Sequence, residues 1–541
     1  MKIRPLCLLL LAILWVCCAG CGSSAGPGGV AGLGGGPAQS LRILSGSENR
    51  SLEPLLKRWG ERNRTDVQVE YLGSVDAMLQ LAEGATTYDA VWPAQSLWID
   101  LGDRKKVTRY QQSLMRSPVV FGVKKSVARS LGWVGNDVTV EQILRAAEAG
   151  KLRFMMTSAS QSNSGASAYL GFLYAFAGRP EVLTGAHLER PQVCERIRRI
   201  LGSVNRSSGS SGWLKDLFVQ KYDQYDAMVN YEALVIEANQ ELIRNGKEPL
   251  YAVYPTDGLT LADSPLAYVD HGDAQKEKLF LALQENLLSP EVQREILATG
   301  RRVGLSGLDT SAADPALFNP DWGINAKRVL NPIRMPPAPV IREALDLYQT
   351  AFRKPSYTVY CLDYSGSMQG QGIADLKAAM RLLLTPSEAR RYLLQASAKD
   401  VVRVIPFNHA PIADWTASGN GANAQSALFR QIDSLKESGG TDIYTPVMRA
   451  FDDLKQVSKL DDYFPAVILM TDGRSNRGGN FATLQQHLQQ SGVNADVPVF
   501  AVLFGEASED QLREITTSTF GRIFDGRKDL VRAFREARGY N

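Results

Sequence analysis

The chain has 541 residues, 44% hydrophobic and 22% charged, with 60 Lys and Arg against 57 Asp and Glu and a formal net charge of +3. Lys2 and Arg4 belong to a leader, and without them the charge is +1, so no basic field points to nucleic acid, while the length suits two to four domains. His187, His271, His409 and His487 stand singly, which argues against a zinc cluster or a histidine-based catalytic set.

Lys2 and Arg4 precede the apolar run 5–18, which is too short to span a bilayer as a mature helix and reads as a secretory signal over 1–20. Cys18-Ala19-Gly20-Cys21 follows and resembles a bacterial lipoprotein processing box, although Leu is usual where Cys18 stands. The resemblance implies that Cys21 is lipidated and becomes the first mature residue, giving a membrane-anchored, extracytoplasmic protein at a periplasmic face or cell surface. An uncleaved anchor or plain secretion is the alternative. Residues 22–40 are small, apolar or amidic and carry no charge, so 21–40 reads as a lipidated Cys with a flexible Gly/Ser/Pro tether of roughly 25 Å reach. Cys7, Cys17 and Cys18 fall in the signal, leaving Cys194 and Cys361 in different predicted domains, so no disulfide framework is expected.

From 41 to 349 the pattern alternates between strand and helix. Leu41-Arg42-Ile43-Leu44 runs into Ser45-Gly46-Ser47-Glu48, and Leu52, Leu55, Leu56 and Trp59 then repeat at helical spacing. Strands are predicted at 67–71, 88–92, 119–123 and 152–156, with helices at 78–83 and 140–149, which makes an α/β body. Residues 157–165 are rich in hydroxyls and lead into an apolar helix. Ser162, Asn163 and Ser164 could cradle an anion or polar solute at that helix start, or could simply cap it. Ser45, Ser47 and Tyr231 are further candidates, although small polar residues at strand ends commonly just make turns.

These segments, with Tyr88-Asp89-Ala90-Val91-Trp92, Ser117-Pro118-Val119-Val120-Phe121-Gly122-Val123 and Asp226 to Ala233, resemble bacterial extracellular solute-binding proteins of ABC-transporter type. The resemblance implies a two-lobed periplasmic-binding-protein-like body that closes on a small solute, with an interdomain crossing at 117–123. Prolines punctuate 307–355, and a helical pattern at 340–353 reads either as a rigid coupling or as the last helix of this body.

From 350 to 541 the alternation resumes. Tyr357 to Leu362 is apolar without a polar break, as in a strand buried on both faces of a parallel sheet, and Asp363 sits at its carboxyl end. Strands near 401–407, 466–471, 497–504 and 522–524 alternate with helices, which implies a doubly wound, Rossmann-like parallel sheet. Asp363-x-Ser365-x-Ser367, Thr441 in a Gly-Gly-Thr turn and Asp472 all fall at strand ends, where open α/β sheets collect ligands. Two carboxylates and three hydroxyls suit a hard divalent cation such as Mg2+, which takes oxygen ligands and keeps positions for water or an incoming group.

Asp363-Tyr364-Ser365-Gly366-Ser367-Met368, Gly439-Gly440-Thr441 and Leu469-Met470-Thr471-Asp472-Gly473 resemble the three metal-binding motifs of the von Willebrand factor type A (VWA) domain. The resemblance implies that Asp363, Ser365, Ser367, Thr441 and Asp472 hold Mg2+ or Mn2+, directly or through water, in an adhesion site that accepts an Asp or Glu from a protein partner. No histidine or nucleophile-base pair accompanies the set, so an enzyme is disfavoured. The alternatives are an ABC-transporter receptor with an accessory VWA domain and an assembly factor for an envelope complex.

Overall fold

The computed structural model describes residues 39–84, 87–304, 313–493 and 496–539, so the expected signal, Cys21 and most of the tether lie outside the described residues. Among the described residues, seventeen strands form three sheets. The first has the order β2-β1-β3-β11-β4, from β1 (Gln39–Gly46), β2 (Thr65–Leu72), β3 (Ala90–Trp92), β4 (Thr108–Ser113) and β11 (Pro265–Val269). The second has the order β10-β5-β8-β6-β7, from β5 (Ser117–Lys124), β6 (Phe154–Thr157), β7 (Val204–Ser208), β8 (Ala227–Tyr231) and β10 (Thr260–Ala262), with β9 (Leu250–Val253) also on β5. These two sheets are the cores of two lobes. The chain crosses between them at 114–116 and again at 263–264. The predicted crossing segment at 117–123 is thus strand β5 of the second lobe, and the crossing lies just before it.

Because β1 already pairs with β2 at Gln39 and Ser40, the first body begins two residues inside the stretch read as tether. Helix Ala338–Leu347 buries Ile341, Ala344 and Leu345 in the core of the second lobe, where Tyr169 donates its hydroxyl to the Ala344 carbonyl at 2.8 Å. That packing makes it the closing helix of the first body, and it runs on through a π-helical turn at Tyr348–Phe352, whose Tyr348 and Phe352 join the same core, before the next strand begins at Ser356.

The third sheet has the order β14-β13-β12-β15-β16-β17, from β12 (Ser356–Asp363), β13 (Val401–Phe407), β14 (Trp415–Ser418), β15 (Phe464–Thr471), β16 (Val499–Leu503) and β17 (Ile523–Asp525). All its pairings are parallel except β13 with β14, an antiparallel edge. Successive side chains of a strand point to opposite faces. Accordingly Tyr360 and Leu362 enter one buried cluster while Tyr357, Val359 and Cys361 enter the other. Burial on both faces explains the unbroken apolar run, and it delivers Asp363 to the sheet edge with no freedom to move.

The bodies are in contact through polar and aromatic groups. Arg206 Nη1 donates to the Asp496 carbonyl at 2.6 Å, and Lys221 pairs with the Asp496 carboxylate at 2.6 Å. Trp213 packs on Phe500 with ring centroids 6.4 Å apart. Cys194 and Cys361 are both free.

Candidate metal centre and solute cleft

The carboxyl ends of β12 and β15 lie side by side. Asp363 Oδ1 accepts the Ser365 N–H at 2.8 Å and Oδ2 accepts the Thr471 hydroxyl at 2.6 Å, which fixes the carboxylate plane. Ser365 Oγ lies 3.0 Å from Ser367 Oγ, and Ser367 donates to Asp472 Oδ1 at 2.9 Å. Thr441 is brought to the same point. A Cβ placed on Gly473 would meet Ser367 Oγ at 3.2 Å and Thr441 Oγ1 at 3.3 Å, so the glycine leaves the space that the hydroxyls face. All five candidate ligand residues therefore converge.

Residues other than the five candidate ligands hold this arrangement. Asn476 accepts the Thr441 N–H on its Oδ1 at 3.1 Å and returns its own backbone N–H to the Thr441 carbonyl at 2.9 Å. Gly366 donates to the Gly439 carbonyl at 3.0 Å, tying the first motif to the second, and Gly439 takes φ +78°, a left-handed conformation that favours glycine. Gly505, at φ +56°, lets the next loop approach so closely that a Cβ there would sit 2.8 Å from the Cβ of Asp472. Thr471 and Asn476 were not among the predicted site residues. A hydroxyl at a strand end and an Asn in a polar loop carry no distinguishing signal in sequence.

The electrostatics suit a cation. Asp363, Ser365, Thr441 and Asp472 are buried, whereas Ser367 is exposed and opens the cluster to solvent. Burial raises the Asp363 carboxyl to about 6 against the opposing hydrogen bonds from Thr471 and Ser365. Burial also raises Asp472, opposed by Ser367 and reinforced by Glu506. Neither carboxylate forms an ion pair with Lys or Arg among the described residues, and a buried carboxylate without a counter-charge is costly. Two such carboxylates with three hydroxyls form a donor set that fits a hard divalent ion. No group of three or more His, Cys, Asp or Glu converges among the described residues, so a carboxylate-rich or imidazole-rich centre is not formed there.

The six candidate solute residues are also brought together, and all six are buried. They bond mainly to one another and to neighbours. Ser47 Oγ, in the first lobe, accepts from Ser210 Oγ at 2.8 Å and from the Gly212 N–H at 3.1 Å in the second. Ser162 and Ser164 reach Ser211 Oγ at 2.9 and 2.8 Å, so their hydroxyls bridge to a neighbouring helix, and Ser162 makes no side-chain cap bond to helix Asn163–Phe176. Asn163 donates to the Tyr231 hydroxyl at 3.0 Å and accepts from Trp98 Nε1 at 2.8 Å. Asn49 donates to Ser45 Oγ at 3.1 Å. The lobes are closed on each other.

A residual cavity of about 20 Å³ adjoins Tyr231 and is lined by Glu48, Asn49, Arg116, Ser117 and Arg301 among others, enough for about one water. Glu48 is only partly exposed, its enclosed Oε1 has no hydrogen-bond partner among the described residues, and burial raises its carboxyl to about 7 with Arg301 opposing. Glu48, Asn49 and Arg301 are cleft residues that the sequence reading did not select. Glu48 stood in the quoted first strand-loop, but nothing there marks it as enclosed.

Two family models match the chain: bacterial extracellular solute-binding protein over residues 41–302, and von Willebrand factor type A domain over residues 359–529. No curated protein matches it. Among solved structures it is similar to the periplasmic binding protein AfuA from Actinobacillus pleuropneumoniae, at 11% identity over 52% of this chain and 89% of that one, with a TM-score of 0.40. It is similar to the sulfate-binding protein SubI from Mycobacterium tuberculosis at 17% identity, covering 56% and 96% of the two chains, with a TM-score of 0.38. For maltose-bound MalE3 of T. maritima the identity is 13%, the coverage 57% and 94%, and the TM-score 0.42. The chain thus joins a solute-binding-protein domain to a VWA domain, in a mixed α/β fold.

Proposed function

We propose that this protein is a lipid-anchored, extracytoplasmic binding protein whose VWA domain holds Mg2+ or Mn2+ and through it grips an acidic side chain of a protein partner. The observation that carries the reading is the convergence of Asp363, Ser365, Ser367, Thr441 and Asp472, with the Ser367 hydroxyl at the surface and no Lys or Arg paired with either carboxylate among the described residues. A bound divalent ion supplies a coordination position open to an outside carboxylate. The chain's own part is to fix the ligands: Thr471 and the Ser365 N–H orient Asp363, and Asn476 orients Thr441. Pull-down of partner from the native envelope with the full chain tests this. Capture lost on chelation and in Asp363→Ala supports it; capture unchanged in both rejects it.

A second reading has a specific observation behind it. The buried polar cluster at the lobe junction, with the enclosed carboxylate of Glu48, favours a solute receptor that feeds a permease, the VWA domain being accessory. Calorimetry of the full chain against small polar solutes separates the two readings. Heat that disappears in Asn49→Ala and persists in Asp363→Ala would assign binding to the cleft. Dedicated assembly of an envelope complex would use the same metal-dependent grip on a single client.

A further inference from the structure

A groove of about 660 Å³ runs between the bodies, lined by Glu83 and Arg104 of the first lobe, Arg342 of helix Ala338–Leu347, and Arg390, Arg391 and Tyr392 at helix Pro386–Arg391. Four guanidiniums share it with one lining acid, Glu83, and that acid and Asp346 beside Arg390 are both already engaged. Glu83 accepts the Tyr392 hydroxyl, and Asp346 pairs with Arg390 at 2.9 Å and accepts from Gln395 at 2.9 Å. Arg104, Arg342 and Arg391 therefore have no carboxylate within ion-pairing distance among the described residues. Arg391 lies over the Tyr392 ring at 5.6 Å.

Elsewhere the chain treats arginines at the junction differently. Arg532, for example, pairs with Glu70 of the other body. Arg342 has no such partner: burial first, and the like charge of Arg104 second, push its guanidinium below its ordinary basicity, with Asp346 opposing. Arg342 is half-buried whereas Arg104 and Arg391 are exposed, and like charges gathered about a half-buried guanidinium are unfavourable unless an anion joins them.

We infer that this groove binds a phosphate-bearing anion. Guanidinium forks match phosphate oxygens bidentately, and three unpaired forks from three separate elements can surround the non-bridging oxygens of a phosphate, three in a monoester and two in a diester, from directions a planar carboxylate does not present. The volume falls within the range of small-ligand pockets, so there is room for the group that carries the phosphate. Because Arg104 and Arg342 come from the first body and Arg391 from the second, occupancy would tie the two together. The phosphate could belong to a free metabolite or to a phospholipid headgroup.

The test uses the purified full chain in detergent, titrated with glycerol phosphate against sodium chloride of matched ionic strength, and separately sedimented with phosphatidylglycerol or phosphatidylcholine vesicles. Acyl anchoring contributes alike to both vesicle types, so their difference reads the headgroup. The expected result is saturable binding in at least one arm, weakened at least tenfold in Arg104→Gln with Arg342→Gln and in Arg391→Gln, and unchanged in Arg430→Gln on a distant exposed helix face. A positive solution arm assigns the site to a free phosphate; an excess on phosphatidylglycerol that the variants abolish assigns it to the headgroup. Wild-type binding no stronger than matched chloride in both arms overturns the inference, as does binding that the arginine variants leave intact while circular dichroism shows them folded.

Discussion

The side-chain amide of Gln161 donates to the backbone carbonyl of Glu536 at 3.3 Å, so the loop that lines the cleft between the lobes is held by the last helix of the VWA domain. The same helix, Leu530–Gly539, reaches the other lobe. Arg532 pairs with Glu70 of β2 and approaches the Tyr88 hydroxyl at 3.4 Å. One helix therefore touches both lobes, and they cannot part at this edge without releasing it. A Cβ on Gly539 would collide with the Gln161 amide, which shows how closely the helix end is seated.

Loosening this helix should let the first body open. Arg532→Ala with Gln161→Ala is expected to speed amide hydrogen exchange several-fold at 45–47 and 210–212, where the lobes bond across the cleft. The stability cost should be small, about 1 kcal/mol, because Glu70 is 40% exposed and solvent screens the pair. Unchanged exchange would mean that the lobes are held closed by their own contacts.

Thr471→Val keeps the shape of a buried side chain and removes the hydroxyl that orients Asp363 Oδ2. Outer partners of metal ligands typically contribute roughly 10–100-fold in affinity. Mn2+ titration should show a loss in that range with the melting temperature nearly unchanged in chelator.

Asp400 anchors the start of the third sheet. It accepts from Arg353, from the Ser356 N–H at 2.8 Å and from the Ser397 N–H at 2.9 Å, with Arg538 3.8 Å away. Burial alone would raise its carboxyl, but Arg353, Arg538 and the N–H donors outweigh that and hold it below its ordinary value. Stability from this group is thus present above the unfolded value, about 4, and is lost as pH falls through the lower folded value. Asp400→Ala should cost about 3–5 kcal/mol at pH 7, since it strands buried Arg353. The gap from wild type in urea melts should narrow at low pH.

Glu48 titrates in the opposite sense. Its carboxyl is raised to about 7 by burial, so the folded state holds its proton longer than the unfolded chain does. The group is neutral to stability below the unfolded value and becomes a penalty as pH rises toward and past 7. Glu48→Gln should therefore melt higher than wild type at pH 8 and close to it at pH 4, as differential scanning fluorimetry would show.

The parts that sequence made readable are those where one physical demand dominates. β12 and β15 are buried on both faces, so continuous apolar runs mark them and the aspartates at their ends stand out. β4, with Thr-Arg-Tyr-Gln-Gln-Ser, and β14 lie mostly exposed at sheet edges and have no such pattern, whereas β7 is mostly buried but polar, Val-Asn-Arg-Ser-Ser, and so carries no apolar run. The contacts between bodies were hidden too. Arg532, Glu70, Arg206 and Asp496 read as a solvated surface until the fold puts them opposite one another. The closed cleft depends on residues from segments more than a hundred positions apart, such as Ser47 and Ser210, whose pairing no local spacing reveals.

The most direct test of the metal-dependent reading is calorimetric titration of the full chain with Mn2+, alongside Asp363→Ala and Thr441→Ala. One ion should bind saturably to the wild type, compete with Mg2+, and be lost in both variants, which should remain folded in chelator. Absence of saturable Mn2+ or Mg2+ binding to the wild type, or binding that both variants retain, would contradict it.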